Sequence, residues 1–595
     1  MLQRAKLLLL FISIVVFGFF LRTYNLNWDQ NHHLHPDERF LTMLALELEV
    51  PDSFTEYLDP NSSTLNPRNK GYNFFVYGTF PITLNKVVAV IFGNDTYNDF
   101  TLQGRLLSAI AETLIIALVF ISTRKLSKIL LLPSYSAYFA AWFYATLVIS
   151  IQLSHFFATD TFANLFVFAS ASLLITSYTK SSESHTSIDK PLGFGSLARS
   201  VFAGGWFGLA MASKISALYV LPLLGMVLFL SIFTSSRKLK TSTKQITQLF
   251  LSGTVVGGIF LLSSFVSLRL ADPTFFASSS FFNPTVNPKL LQNIKELKSW
   301  EGGDVWFPPA IQWIPTKPWL FPIKNLSLYG LGLPHVVLMG LGISILVVYS
   351  IKRKKHRLLI GIMLLWMMLF FGYQGAQFVK AMRYFLVMLP YISLLSGMGI
   401  AALIAKVKTH SQMVASTIKI FVPLSLLVWP AMFMSVYVNT NTRIAASQWI
   451  HKHLPSSAVV NESWDDPLPL QIPKTTKSFI GEMMPVFDQE SPQKWRTINT
   501  MLESADYYFL TSNRAWGSIT KVPEKYPETS EFYAKLLNGK LGFVKVAEFT
   551  SRPSLKYLGI PFTFSDDYAD ETFTVYDHPK VIIMAKQEFI PFEPQ

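Results

Sequence analysis

The chain has 595 residues, 50% of them hydrophobic and 15% charged, against about 25% charged in a soluble protein. That balance excludes a purely soluble protein, and the absence of cysteine excludes disulfides, thiolate catalysis and Cys-ligated metals. The net charge of +14 is uneven: from Asn441 onward sixteen Lys/Arg face nineteen Asp/Glu, so the first 440 residues carry +17, a topology signal that argues against nucleic-acid binding.

The first apolar run, 7–23, follows Arg4 and Lys6 and leaves into Arg22-Thr23-Tyr24-Asn25. No small-residue cleavage site follows it, so it reads as an uncleaved signal anchor. Further runs of spanning length fall at 103–123, 135–152, 161–178, 199–213, 215–233, 246–268, 333–350, 358–372, 384–405 and 417–438, giving about eleven spans. Basic residues fall after every second span: Arg124, Lys125 and Lys128; the stretch from Lys180 to Arg199; Arg237, Lys238, Lys240 and Lys244; the run from Lys352 to Arg357; then Lys406 and Lys408. The positive-inside rule therefore places the N-terminus and these loops in the cytoplasm and the C-terminal part outside.

Three outward segments are long: 24–102, 269–334 and everything after about Asn439. The second is rich in Trp and Pro (Trp300, Trp306, Trp313, Trp319), as suits a loop at the membrane surface. The third reads as a soluble α/β domain. It has a helix over 442–454, strands at 458–460, 507–510 and 543–549, and helices at 492–502 and 530–537. A hairpin is expected with 573–576 and 581–584 flanking Asp577-His578-Pro579-Lys580. The fold class is thus a polytopic α-helical membrane domain, 1–440, followed by an extracytoplasmic soluble α/β domain, 441–595.

Just past the first span lies His35-Pro36-Asp37-Glu38-Arg39-Phe40. A carboxylate there can take the proton of an acceptor hydroxyl. The plainer reading is the start of a surface helix over 36–49, with Pro36 in its first turn. Adjacent carboxylates do not point at one atom, so one acts and the other positions. His155 and Asp160 occupy the next short outward connection, Arg105 stands at the outer end of the second span, Lys214 lies in a tight outward turn, and Lys380 and Arg383 precede the tenth span. Outward cations are explained by snorkelling or by a shared anion such as a lipid phosphate. Glu112 is an intramembrane carboxylate, by default a functional candidate, with Arg105 as an alternative partner. His32, His33 and His35 invite a metal reading, but their spacing matches no standard ligand motif. Asp304, in Gly302-Gly303-Asp304, reads as a turn residue. Trp464-Asp465-Asp466-Pro467 reads as a loop feature.

This set resembles the GT-C superfamily of membrane glycosyltransferases. The nearest group is family 39, the protein O-mannosyltransferase and aminoarabinose transferase type, in a bacterial branch. The resemblance covers about residues 1–440 and rests on Asp37-Glu38 in the first outward loop, Gly104-Arg105-Leu106-Leu107-Ser108, Asp160, Lys214 in its Gly-Leu-Ala-x-x-Ser-Lys context, and Arg383-Tyr384. His-Pro before Asp37 departs from the eukaryotic mannosyltransferase pattern, and no β-trefoil-like insert is visible in 269–334. The resemblance implies transfer of a sugar from a polyprenyl-phosphate donor to a protein, lipid or glycan acceptor outside the membrane, with inversion. Asp37 would be the general base. Glu38 and Asp160 would position it or the sugar, and Arg105, Lys214, Lys380 and Arg383 would bind the donor phosphate. His35, His155, Glu112 and Asp304 are further candidates. No cofactor is required on this reading, although a divalent metal is compatible with it. The setting it suggests is a prokaryotic cytoplasmic membrane. A transporter or lipid-carrier flippase is the rival, but it would gather polar residues at the midplane and show repeats. A non-catalytic receptor is a second rival, and would tolerate loss of Asp37, Asp160 and Lys214.

Overall fold

A computed structural model describes residues 2–94, 96–183, 194–236, 243–354, 356–472 and 475–589. Among them nine helices are long and apolar enough to cross a membrane, and the bent pair Ser136–Ala145 and Val148–Ser154 makes a tenth. The protein is an integral membrane protein. The eleventh expected span falls on Phe194–Ser213, a helix of 20 residues. Its glycines lower its hydropathy and let it press against Thr243–Ala271. A Cβ on Gly204 would lie 2.2 Å from the Phe260 carbonyl oxygen, and one on Gly208 2.3 Å from that of Ser264. Small residues at four-residue spacing serve such backbone contact in membranes, where burial between helices gains little over lipid.

The span expected over 135–152 is formed by two helices meeting at 53°. Thr146 Oγ1 donates back to the Trp142 carbonyl (2.8 Å), a local bond that competes with the helical ladder. The freed carbonyls of Tyr144 and Ala145 receive the Arg22 guanidinium at 3.2 and 2.9 Å. Glu112 completes the joint, accepting from Tyr144 Oη (2.6 Å), Ser150 Oγ (2.5 Å) and Asn164 Nδ2 (3.0 Å). Two of these partners belong to the bend and the third, Asn164, to the next helix; Arg105 is not among them.

Basic helix ends gather at one end of the bundle. Lys125 Nζ reaches Thr176 Oγ1 and Arg199 Nε reaches Ser177 Oγ, each at 2.7 Å. Lys190, Arg237, Lys238, Lys240 and Lys355 lie outside the described residues. Arg105 is twenty residues from Lys125 on the Tyr97–Ile129 helix, about 30 Å by helical rise. It therefore marks the opposite end, where the C-terminal sheet sits.

That sheet has five strands: β1 (Ser457–Glu462), β2 (Phe479–Met484), β3 (Tyr507–Leu510), β4 (Phe543–Phe549) and β5 (Val581–Lys586). Their order is β2-β1-β3-β5-β4. β1 pairs parallel with β2 and β3, whereas β5 pairs antiparallel with β3 and β4. The two apolar strands β3 and β5 are buried along nearly their whole length, as continuous runs such as Tyr-Tyr-Phe-Leu require. The expected hairpin around Asp577 is not formed. Residues 571–574 are a short helix, and β5 instead pairs with β3 and β4. Phe573 and Tyr576 are drawn away from the sheet to pack on the membrane helices.

The stretch before β5 is woven into the bundle. Ser554 N donates to the Met432 carbonyl (3.0 Å), Asp570 N to Asn325 Oδ1 (2.7 Å), and Gln152 Nε2 to the Phe573 carbonyl (2.7 Å). Asp577 accepts from Gln152 and Tyr437 and holds His578 at 2.5 Å, with Asp566 on the other imidazole nitrogen at 3.1 Å.

Candidate active site

The helix Pro36–Glu47 begins where the chain returns from the first span. Pro36 supplies a pre-set first turn, and His35 Nδ1 accepts from the Glu38 N–H at 3.2 Å, capping it. Burial holds the His35 imidazole neutral, its pKa lowered to about 4. Its ring lies between Tyr576 (4.1 Å) and Phe156 (4.5 Å). Successive helical residues project about 100° apart, so Asp37 and Glu38 diverge.

Glu38 turns inward and is fully buried. Both its oxygens receive Arg105, at 2.9 Å from Nε and 2.5 Å from Nη2, and one also receives the Phe157 N–H at 2.8 Å. Arg105 spends its remaining donors on Asp29 (3.0 and 2.7 Å) and the Leu26 carbonyl (2.6 Å), beneath the Trp28 ring. Expected to bind donor phosphate, Arg105 is instead enclosed with every donor engaged. Glu38, expected beside the reaction, is likewise held inside. The pair fixes the loop that carries Asp37.

Asp37 faces open space. Its Oδ2 accepts from Arg383 Nη1 at 2.8 Å, and a third of its side chain is exposed. Burial raises its pKa, but Arg383, His35 and Lys214 outweigh that and hold the carboxyl below the usual range. Asp160 and Lys214 form a second ion pair at 2.7 Å, and the Lys214 ammonium lies 5.1 Å from the Tyr384 ring. Arg383 lies 5.7 Å from the same ring. Tyr77 borders this group, its phenol pKa raised by the Asp37 charge and by burial. It is seated by Gly78, where a Cβ would lie 2.0 Å from the Ala212 carbonyl oxygen, next to the Lys214 turn.

Two cavities meet here. One, of about 390 Å³, runs between membrane helices past Asp160, Lys214, Tyr219, Phe370 and Leu386. The other, of about 640 Å³, opens between the 297–313 loop and the C-terminal domain, past Trp300, Phe307, Trp464, Asp466 and Arg514. Asp37, Tyr77, Arg383 and Tyr384 line both.

The other sequence candidates lie apart. Lys380 is buried on Thr316 Oγ1 (2.8 Å) and the Phe378 carbonyl (2.7 Å), and it borders neither cavity. His155 stacks on Tyr437 at 3.7 Å, its nitrogens against the Ile151 and Tyr24 carbonyls. Asp304 is exposed in its turn, near Lys525, which holds the Gly303 and Val305 carbonyls. His33 is engaged with Asn98 and Thr101. Among the described residues no three His, Asp or Glu side chains are grouped to hold a metal.

Several wall residues were not legible as such. Trp464, Asp465 and Asp466 read as a loop, yet they close the second cavity. Asp465 pairs with Arg443 at 2.5 Å, and Asp466 with Arg39 at 2.8 Å. Tyr77 and Tyr576 carry no motif. An acidic pair beside Trp and before Pro was the one available signal.

No family model matches the chain, and no curated protein matches it. Solved structures do. The archaeal oligosaccharyltransferase AglB from Archaeoglobus fulgidus, in complex with an inhibitory peptide and a dolichol-phosphate, is similar over 94% of this chain and 75% of its own, at 11% identity and TM-score 0.47. ArnT from Cupriavidus metallidurans in the apo state is covered over 100% of both chains, at 12% identity and TM-score 0.42. The S. cerevisiae protein O-mannosyltransferase Pmt1-Pmt2 complex, bound to the sugar donor, matches 46% of this chain and 34% of its own, at 16% identity and TM-score 0.33.

Proposed function

We propose that this protein is an inverting glycosyltransferase that moves a sugar from a polyprenyl-phosphate donor to an acceptor hydroxyl at the membrane face bearing the sheet domain. The observation that carries the reading is the meeting of two unlike cavities at one carboxylate–guanidinium pair, Asp37–Arg383. The cavity between membrane helices has apolar walls with Lys214 and Arg383 at its head, which suits a lipid phosphate. The other admits an acceptor from the aqueous side.

In the reaction Asp37 takes the acceptor proton as the acceptor oxygen bonds to the anomeric carbon. The bond from that carbon to the phosphate oxygen breaks, and its electron pair leaves with the lipid phosphate. Arg383 and Lys214 meet the charge that develops there, the electrostatic help that commonly dominates such steps. With two cations in place the reading requires no metal. Arg383 has a second role: in leaving Asp37 for the phosphate, it would restore basicity to the carboxylate only when donor is bound. Asp160 orients Lys214. The basic ends of the bundle would face the cytoplasm, and the sheet domain the outside of a prokaryotic cytoplasmic membrane.

The test is transfer from a labelled panel of polyprenyl-phosphate sugars by the purified chain in lipid, wild type beside Asp37→Asn. Transfer by wild type and its loss in a folded variant is the expected result. Undiminished transfer by the variant would remove Asp37 from the mechanism.

A further inference from the structure

The larger cavity has a wall that the transfer chemistry itself does not use. Four aromatic side chains from three separate segments run along it in one row. Phe74 and Trp300 have ring centroids 4.6 Å apart, Trp300 and Phe307 5.0 Å, and Phe307 and Trp464 5.7 Å. All four line the cavity. Trp464, at the end of the row, is 53% exposed, and it also borders a surface depression that contains Trp306. The row therefore continues out of the cavity.

Trp464 is held there against its own preferences. Its backbone is left-handed, with φ of +67°, a region that bulky residues rarely occupy and that surroundings must impose. Arg514 Nη1 grips its carbonyl at 2.6 Å, Glu571 holds Arg514 at 2.8 Å, and the following Asp465 is pinned by Arg443 at 2.5 Å. An indole so fixed, and then left in water, is presented to something outside the chain.

We propose that this cavity is a saccharide cleft, with Trp464 as its outer stacking platform, and that the acceptor is a glycan. The proposal rests on the transferase reading and specifies its acceptor. Pyranose rings offer flat C–H faces to aromatic rings and hydroxyls to charged groups. The row supplies the first partner, and the partly exposed Asp466–Arg39 pair beside it supplies the second. An extended peptide would instead seek a free strand edge. The sheet's edges are β2 and β4, and neither contributes a lining residue.

The test is saturation-transfer NMR on the full chain in lipid nanodiscs, without donor, using maltotetraose, mannotetraose and chitotetraose. Saturation of ring C–H protons in at least one of them is expected. Trp464→Ala should weaken its binding about tenfold, and Trp464→Phe should retain most of it. Size-exclusion and circular dichroism profiles confirm that each variant is folded. Saturation of none of the three sugars overturns the proposal, as does binding indifferent to Trp464→Ala in a folded protein. Saturation of a Ser/Thr-rich peptide in place of the sugars overturns it in favour of a polypeptide acceptor. Failure here with transfer still dependent on Asp37 leaves the transferase standing. Sugar binding without any transfer leaves the cleft standing and removes the enzyme.

Discussion

At the scale of single residues, ionisable groups are governed by which neighbour each has been given. Asp37, the proposed general base, is held by Arg383 at a low pKa against the pull of burial. Arg383→Gln removes the cation and lets that pKa rise. The acid limb of the pH profile of kcat/KM should therefore move to higher pH, while the rate falls about 10²-fold, as on losing one charge-stabilising donor. Glu462 shows the opposite environment. Buried in the sheet domain under Tyr508 and Tyr533 (2.8 and 2.6 Å), its carboxyl is pushed up to about 8, chiefly by burial. Between its usual value and 8 the unfolded chain is ionised there while the folded chain stays protonated. Stability is therefore lost as pH rises through that window. Glu462→Gln keeps an acceptor for both phenols without the charge. Thermal unfolding followed by fluorescence should show a gain on the order of 3 kcal/mol at pH 8 and little change at pH 4.

At the scale of elements, one buried guanidinium fixes a whole loop. Arg105 binds Asp29 and Glu38 together, so the chain from the first span to the Pro36–Glu47 helix is tied to the Tyr97–Ile129 helix at both its ends. Arg105→Leu would leave two buried carboxylates without a cationic partner, at a cost of about 3–5 kcal/mol. Little folded protein should be recovered, whereas Asp37→Asn should give a normal yield; fluorescence-detected size exclusion of the two variants checks this. Elements of this kind were largely readable from sequence. Long apolar runs and capped or proline-initiated helices announce themselves, as do the buried strands Tyr507–Leu510 and Val581–Lys586. The exposed edge strand Phe479–Met484, with Gly481 and Glu482 in it, gave no alternation to find. The bend at Thr146 was hidden because Arg22, which takes up the carbonyls it frees, is more than a hundred residues away. For the site, sidedness of charge picked out Asp37, Asp160, Lys214 and Arg383. The same logic could not tell them from Arg105 and Lys380, whose partners are supplied by distant segments.

At the scale of the whole molecule, the sheet domain and the helical bundle share a polar seam. His578 lies between Asp566 and Asp577, which raise its pKa to about 10 against burial. It is therefore charged at neutral pH and bonds both carboxylates, offsetting one of their two charges. His578→Leu should loosen the seam, with limited proteolysis cutting the 551–578 segment earlier and transfer falling although no cavity residue has changed. The contribution is complete below the ordinary histidine value of 6.5 and is lost progressively as pH rises from there to about 10, so wild type should weaken across that window. The weave of residues 551–578 into the bundle also sets a schedule for biosynthesis. Tyr576, which backs His35 at the head of the catalytic helix, is translated after every membrane span. A nascent chain with all its spans inserted therefore still lacks the ring that backs His35. That contact forms only after Tyr576 has left the ribosome and threaded back to the bundle.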